Sequence, residues 1–268
     1  MTPPAGRRVQ HAFSRAAGSY DAAAEIQRQV VSELIDRLPG RDPAPATILD
    51  LGCGTGFAFA GLGARYPTAR LIGLDFAESM LRRASKHPRL QKIAGNATLL
   101  PLADEIADLA ISSLTYQWCP LDRALKEVHR VLRPGALLGF STLTGDTFRE
   151  LWQAFAGIDD APHVLPLLSP EQIIGEAERA GFTDLSIGRS RLVARFADVR
   201  ALFDSIRRTG ASEVAPQDAA SSRRRGLLGK SAFAMIESRL RALADEAGRL
   251  PLTYDVFYLI ARKPGGLK

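Results

Sequence analysis

The chain has 268 residues, of which 46% are hydrophobic and 24% charged, a composition typical of a soluble globular protein with one large α/β domain. The chain has only two cysteines, which excludes a disulfide framework and predicts a cytoplasmic location. Its four histidines are scattered, which argues against a metal site. No apolar run approaches the roughly 20 residues of a membrane span, which excludes a transmembrane protein. The net charge of +6 favours an acidic partner, but no dense basic stripe with interleaved aromatic residues indicates nucleic acid.

The first predicted element is a helical segment over residues 10–38. Its apolar residues Ile26, Val30, Leu34 and Leu38 recur at a helical period. Tyr20 lies in a small-residue stretch before them, where it either closes over a bound ligand or is an ordinary surface aromatic residue. With the linker that follows, residues 1–45 are predicted to form a helical lid and linker.

An alternation of strands and helices begins at residue 47. The pattern predicts a doubly wound, mostly parallel, Rossmann-like α/β sheet in a domain over residues 46–268. Strands are predicted at 47–51, 70–74, 108–113 and 136–142, with a weaker one at 91–94. Helices are predicted at 57–65, 77–86 and 121–132.

The pattern changes after residue 145. Helices are predicted at about 146–156, 170–180, 197–208 and 229–245, followed by a strand-like run at 252–261. The stretches at about 146–170 and 196–250 are predicted to be cap insertions over the ligand end of the sheet.

Three glycines at alternate positions, Gly52, Gly54 and Gly56, follow the apolar run that contains Asp50. Glycine permits a sharp turn and the close approach of a ligand. The spacing is G-x-G-x-G, which is neither the dinucleotide fingerprint nor a phosphate-binding loop. Asp50 would repel a pyrophosphate and suits a positively charged cofactor, while Asp75, at the end of the next strand, suits a ribose diol. The alternative is a glycine-rich turn without a ligand.

This pattern resembles the first motif of class I S-adenosylmethionine (SAM) methyltransferases. The resemblance implies that Asp50 and the glycine loop bind the methionine end of SAM and that Asp75 binds its ribose. Asn96 would lie beside the adenine, or else be a plain turn residue. The strand end at Ser112 would face the methyl group.

Tyr116 and Trp118 follow that strand end and are candidates for shaping an acceptor pocket, with ordinary core packing as the alternative. Together with Tyr20 they are the candidate catalytic residues. A methyl sulfonium is already activated, so the enzyme must hold it, exclude water and align the acceptor. This agrees with the lack of a nucleophile elbow or a Cys/His pair.

Segments outside the cofactor motif resemble the biotin-pathway malonyl-acyl-carrier-protein O-methyltransferases. They are residues 13–20 and 27–28, 114–119, 140–143 and 248–257. The resemblance implies methyl transfer from SAM to the free carboxylate of malonyl thioester on an acidic acyl carrier protein. Such a carboxylate is ionised at neutral pH and needs no general base. Six cationic residues are candidates for binding the carboxylate or the carrier, with a solvated loop as the alternative for the last four: Arg15, Arg28, Arg223, Arg224, Arg225 and Lys230.

Two other functions remain open from the sequence. Segments at 145–151, 162–164 and 254–258 also resemble complex I assembly factors that modify a protein arginine. A non-catalytic SAM-binding assembly module is the second, because the motif residues Asp50, Gly52, Gly54 and Asp75 indicate binding but not transfer.

Overall fold

The computed structural model describes residues 4–40, 44–84, 88–158, 164–210 and 230–265. The helices of these ranges are α1 (Pro4–Ala16), α2 (Tyr20–Ala23), α3 (Glu25–Arg37), α4 (Phe57–Arg65), α5 (Glu78–Arg83), α6 (Leu121–Val131), α7 (Arg149–Phe155), α8 (Pro170–Arg179), α9 (Val199–Arg208) and α10 (Lys230–Arg241). The strands are β1 (Thr47–Leu51), β2 (Arg70–Asp75), β3 (Leu90–Ala94), β4 (Ala107–Ser113), β5 (Leu132–Leu143), β6 (Thr183–Phe196) and β7 (Leu250–Arg262). None of these helices is long and apolar enough to cross a bilayer.

The strands form one sheet in the order β3-β2-β1-β4-β5-β7-β6. Every neighbouring pair is parallel except the two that β7 makes, with β5 and with β6. The strand order reverses between β1 and β4, and open α/β sheets bind ligands at the carboxyl ends of the strands beside such a reversal. The predicted doubly wound, mostly parallel sheet is confirmed.

Helices cover both faces of the sheet with apolar side chains, which accounts for the buried runs of its central strands. On one face α3 and α4 contribute Val30, Leu34 and Phe59 to the core. On the other face α6 contributes Leu125 and Val128. The helical period seen around Val30 and Leu34 in the sequence is therefore the sheet-facing stripe of α3.

The N-terminal part is three helices where the sequence predicted one segment over 10–38. The chain turns at Gly18 and Ser19, where the Ser19 amide donates to the Ala16 carbonyl, and it breaks again at Ala24. These breaks let α1 turn away from α3 and reach α5 at the end of β2, where Ser79 Oγ donates to the Ser14 carbonyl.

The 14-residue strand β6 is absent from the sequence-based predictions. It is an edge strand that pairs along most of its length with β7, from Ser186 opposite Ile260 to Phe196 opposite Leu250. Its arginines, Arg189, Arg191 and Arg195, lie on an exposed side, and they break the apolar run by which a strand is usually recognised.

Helices α7 and α10 pack against each other beyond the carboxyl end of β5, and Arg239 of α10 donates to the carbonyls of Ala154 and Ala156. With α9 they occupy part of the predicted cap insertions, whose stretches at 159–163 and 211–229 lie outside the described residues. The division of the chain into residues 1–45 and 46–268 stays a prediction.

A buried polar network joins α7 to β7. Glu150 is buried, and its carboxylate accepts from the Thr253 amide at 3.0 Å and from Thr253 Oγ1 at 2.5 Å. Nearby, Asp255 accepts from Thr144 Oγ1 at 2.6 Å and from Arg189 at 2.8 Å. These bonds hold the connection after β5 against β7 and thereby fix the start of α7.

Replacing Glu150 with alanine is expected to lower the free energy of unfolding by about 2 kcal/mol, because a buried amide and a buried hydroxyl lose their acceptor. Chemical denaturation monitored by circular dichroism measures the loss. Gln153→Ala, on the exposed side of the same helix, is the matched control and should change stability by less than about 0.5 kcal/mol. Equal losses in the two variants would contradict a specific role for the network.

Candidate active site

The glycine loop after β1 presents an open backbone surface at the carboxyl edge of the sheet. Gly52, Gly54 and Gly56 have φ values of 71°, 54° and 87°, a region that side-chain-bearing residues seldom adopt. A Cβ atom on Gly52 would lie 2.1 Å from Thr115 Oγ1, whereas one on Gly54 would meet no protein atom within 4 Å. Gly52 therefore serves close packing, and Gly54 leaves room for a ligand.

Asp75, at the end of β2, holds this loop from the neighbouring strand. Its Oδ2 accepts from the Gly54 amide at 2.9 Å, and its Oδ1 accepts from the Ala77 amide at 2.8 Å. Burial raises the pKa of Asp75, while these amide hydrogen bonds act in the opposite direction. A carboxylate has about four acceptor positions, so beyond its backbone hydrogen bonds Asp75 keeps capacity to accept from a ligand hydroxyl.

Asp50 is buried beneath the same loop. Burial, with a smaller contribution from the nearby Asp75, raises its pKa to about 8. A nearby cation would favour the ionised form of Asp50 beside Asp75, so the pair favours a ligand with positive charge. The predicted contact of Asp50 with a positively charged cofactor stays a prediction.

The raised pKa of Asp50 predicts a pH-dependent stability in the absence of ligand. The pKa of Asp50 is near 4 in the unfolded chain and about 8 in the folded protein. The contribution of its protonated carboxyl to the free energy of unfolding is therefore complete below pH 4 and is lost as pH rises through 8. Between pH 5 and 8 the free energy of unfolding of the wild type should fall by at least about 1 kcal/mol more than that of Asp50→Asn. Urea denaturation across that range measures the difference, and parallel curves for the two proteins would contradict it.

Two predicted cofactor contacts take local structural roles. The carbonyl oxygen of Asn96 accepts from the Thr98 amide and from Thr98 Oγ1, both at 2.9 Å, which favours the turn alternative over an adenine contact. Ser112 is fully buried and donates to the Leu51 carbonyl at 2.9 Å, joining β4 to the end of β1. The structure therefore favours a packing role for Ser112 rather than direct ligand contact.

Tyr116 and Trp118, two residues apart on the 3-10 turn after β4, have different surroundings. Tyr116 is buried in the core on the α6 face, with its ring 5.1 Å from that of Phe140 in an edge-to-face arrangement. Its hydroxyl has no hydrogen-bond partner among the described residues, and burial raises its pKa. Trp118 instead lies in a cavity wall and packs edge-on against Phe13 at 5.6 Å. The acceptor-pocket prediction therefore fits Trp118, and the packing alternative fits Tyr116.

The N-terminal segment lies over the glycine loop. The Tyr20 ring stacks on Phe57 at 5.8 Å, and Thr55 Oγ1 donates to the Asp21 carboxylate at 2.6 Å. Arg28, a predicted acceptor-binding residue, lies 5.2 Å from the centre of the Phe57 ring and donates to the Asp21 carbonyl. Burial, together with the charges of Asp75 and Asp21, raises the pKa of Tyr20, so its hydroxyl is a hydrogen-bond donor at neutral pH.

A cavity of about 470 Å³, here called the chamber, is connected to this loop through Tyr20, which lines the cavity and stacks on Phe57. It is enclosed by the N-terminal segment, the ends of β4 and β5, and helices α7, α9 and α10. Its walls are mostly apolar and are formed by Phe13, Tyr20, Gln27, Leu114, Gln117, Trp118, Leu143, Thr147, Phe148, Leu151, Phe155, Val164, Leu165, Leu167, Phe203, Ile206, Arg207, Thr209, Phe233, Ile236 and Tyr254.

The cationic residues that the sequence suggested are not in the described wall of the chamber. Arg15 is exposed at the end of α1, and Arg28 lies on Phe57. Arg223, Arg224 and Arg225 lie outside the described residues, and only the backbone of Lys230 is described. The wall contains Arg207 instead. No sequence motif distinguished Arg207, because it is one of several arginines on an amphipathic helix.

Comparisons with known proteins agree with this geometry. Residues 49–140 match a family model described as "Methyltransferase domain". The chain is 42% identical to the malonyl-[acyl-carrier protein] O-methyltransferase of Dechloromonas aromatica over 98% of this chain and 96% of that one. It is 40% identical to the protein of the same name from Laribacter hongkongensis, over 96% of this chain and 89% of that one.

Solved structures share the fold. The YcgJ protein of Bacillus subtilis superposes with a TM-score of 0.59 at 17% identity, covering 89% of this chain and 99% of that one. A phosphoethanolamine N-methyltransferase of Haemonchus contortus in complex with S-adenosylhomocysteine has a TM-score of 0.55 at 15% identity, covering 94% of this chain and 57% of that one.

The residues around the loop fit SAM, which is the cofactor. Gly54 leaves the space a ligand needs, Asp75 can accept from ribose hydroxyls, and Asp50 lies where positive charge is favoured. The chain is therefore a SAM-dependent methyltransferase, and its identity over nearly its whole length to curated relatives places it in the malonyl-[acyl-carrier protein] O-methyltransferase family.

Proposed function

We propose that this protein methylates the free carboxylate of malonyl thioester on an acidic acyl carrier protein, forming the methyl ester that serves as primer in biotin synthesis. The observation that carries the proposal is the apolar chamber beside the cofactor site, in a chain 42% identical to a relative named for this reaction. SAM supplies an activated methyl group when bound. The residues of the chain must therefore bind, orient and desolvate the acceptor.

The wall of the chamber suits a carboxylate acceptor. Among the described wall residues there is no carboxylate and no imidazole, so the wall offers no general base. A malonyl carboxylate is ionised at neutral pH and needs none, unlike an alcohol or an ammonium acceptor. The chemistry of the wall thus agrees with carboxyl methylation.

The apolar walls have a second consequence. A carboxylate that leaves water for such a chamber loses its hydration shell, which makes it a stronger nucleophile. Phe13 and Trp118 pack against each other in the wall, next to Tyr20. These rings exclude water from the space beside the glycine loop, and the neutral Tyr20 hydroxyl can orient one carboxylate oxygen while the other remains free to react.

The carrier and the compartment belong to the same proposal. The net charge of +6 favours association with an acidic carrier, and the reaction would take place in the cytoplasm. We also propose that residues 1–45 act as the lid and residues 46–268 as the methyltransferase domain. The contacts of Tyr20 with Phe57 and of Asp21 with Thr55 support this division.

The test is to incubate the purified protein with SAM and malonyl-acyl carrier protein and to measure the carrier by mass spectrometry. A mass increase of one methyl group that is lost on ester hydrolysis is expected. Acetyl-acyl carrier protein, which has no free carboxylate, is the control substrate and should remain unchanged. An absence of product while SAM demonstrably binds would overturn the proposal and leave protein-arginine modification or a non-catalytic role to be tested.

A further inference from the structure

Two residues mark where the chamber opens to solvent. Among its described wall residues, Arg207 has 63% of its side chain exposed and Phe233 is 45% exposed, so each contacts both the cavity and bulk water. Arg207 lies in the last turn of α9, and Phe233 lies in the first turn of α10. Among the described residues, the chamber therefore reaches solvent at Arg207, at the end of α9, and at Phe233, at the start of α10.

Arg207 is also the one charged side chain among the described wall residues. Its guanidinium pairs with Asp204, one turn earlier on the same helix, at 2.6 Å. Both side chains are about half exposed or more, and such surface pairs contribute little to stability. An anion arriving at the entrance can therefore replace Asp204 as the partner of Arg207.

The proposed substrate carries two anionic groups, at opposite ends of its pantetheine arm. The malonyl carboxylate must reach the water-excluded space near Tyr20 and Trp118, whereas the phosphodiester joins the arm to the carrier protein and stays outside. An exposed guanidinium at the entrance is on the side of the phosphodiester. Its planar fork of N–H donors suits phosphate oxygens, and Phe233, which also lines the chamber and is partly exposed, offers an apolar surface to the arm.

We propose that Arg207 binds the phosphodiester of the phosphopantetheine arm at the entrance to the chamber, so that this site selects a phosphopantetheine-borne thioester. This inference rests on the proposed function and adds to it the residue that recognises the arm. It also predicts a competition within the protein, because Asp204 occupies the guanidinium when the substrate is absent.

The experiment compares two malonyl thioesters, the one on acyl carrier protein and malonyl-pantetheine, which lacks the phosphate. Arg207→Ala should raise KM for the carrier-borne substrate about tenfold while changing kcat little, because a charge-assisted contact is lost outside the reacting centre. With malonyl-pantetheine the same variant should change KM by less than about twofold. Asp204→Asn should lower KM for the carrier-borne substrate, since the competing carboxylate is removed.

Arg208→Ala is the matched control, because Arg208 is the exposed neighbour on the same helix and lies outside the chamber wall. It should leave KM for both substrates nearly unchanged. Equal increases of KM for both substrates in Arg207→Ala would place the malonyl carboxylate on Arg207 and overturn the inference, and so would unchanged KM values. If the wild type methylates neither substrate, the proposed function fails and this inference fails with it.

Discussion

Replacing Asp75 with alanine is expected to weaken SAM binding by about 10- to 150-fold, which corresponds to the roughly 1.5–3 kcal/mol of a hydrogen bond to a charged group. We propose the carboxylate as the acceptor for the ribose hydroxyls, and it also positions the glycine loop through the Gly54 amide. Its removal therefore takes away a ligand contact and loosens the loop that carries the others. Isothermal titration calorimetry with SAM measures the change.

Two further variants separate these contributions. Asp75→Asn keeps one oxygen acceptor and should lose less affinity than Asp75→Ala. Glu78→Ala removes an exposed carboxylate three residues away that pairs with Arg82, and it should bind SAM as the wild type does. Undiminished SAM affinity in Asp75→Ala would show that the ribose lies elsewhere.

Replacing Gly52 with alanine is expected to lower the free energy of unfolding by about 3 kcal/mol, through the cost of positive φ and through overpacking. The new Cβ would lie 2.1 Å from Thr115 Oγ1 and 2.4 Å from its Cγ2, so the loop after β4 must move. Thermal and urea denaturation without SAM measure the loss. Thr115→Gly in the same chain removes the contacting atoms and should restore part of the stability.

Gly54→Ala is the matched control for Gly52→Ala. It carries a similar cost of positive φ, at 54°, but its Cβ would meet no protein atom within 4 Å. The free energy of unfolding of Gly54→Ala should fall by about 1 kcal/mol. Its affinity for SAM should also fall, because the alanine side chain would occupy the space proposed for the ligand. Equal stability losses for the two variants would contradict the assignment of Gly52 to packing and Gly54 to the ligand.

The parallel part of the fold could be predicted because its strands and helices follow simple periodic patterns. The bounds of β1 and α4 agree with prediction to the residue, and those of β4 and α6 agree within one residue. These elements are buried on fixed faces, so their apolar periods are strong. Strand β6 was missed because an edge strand tolerates charged residues and needs only its partner β7 to form.

The site could be predicted only in part, for a related reason. The loop of Gly52 and Gly54 with Asp75 is local to two strand ends, and short-range spacing identified it. Tyr116 and Trp118 look alike in sequence, yet the 3-10 turn sends one into the core and the other into the chamber wall. Arg207 could not be singled out, because its position depends on how α9 packs over the sheet.

By itself the sequence determined the doubly wound fold and the SAM loop, since a strand, a tight glycine turn and a helix are specified by neighbouring residues. Its resemblance to the biotin-pathway enzymes indicated the acceptor. Only the tertiary structure decided which side chains form the chamber that we propose for that acceptor. The chamber wall combines residues from the N-terminal segment, two strand ends and three later helices, and no sequence period connects positions brought together by long-range packing.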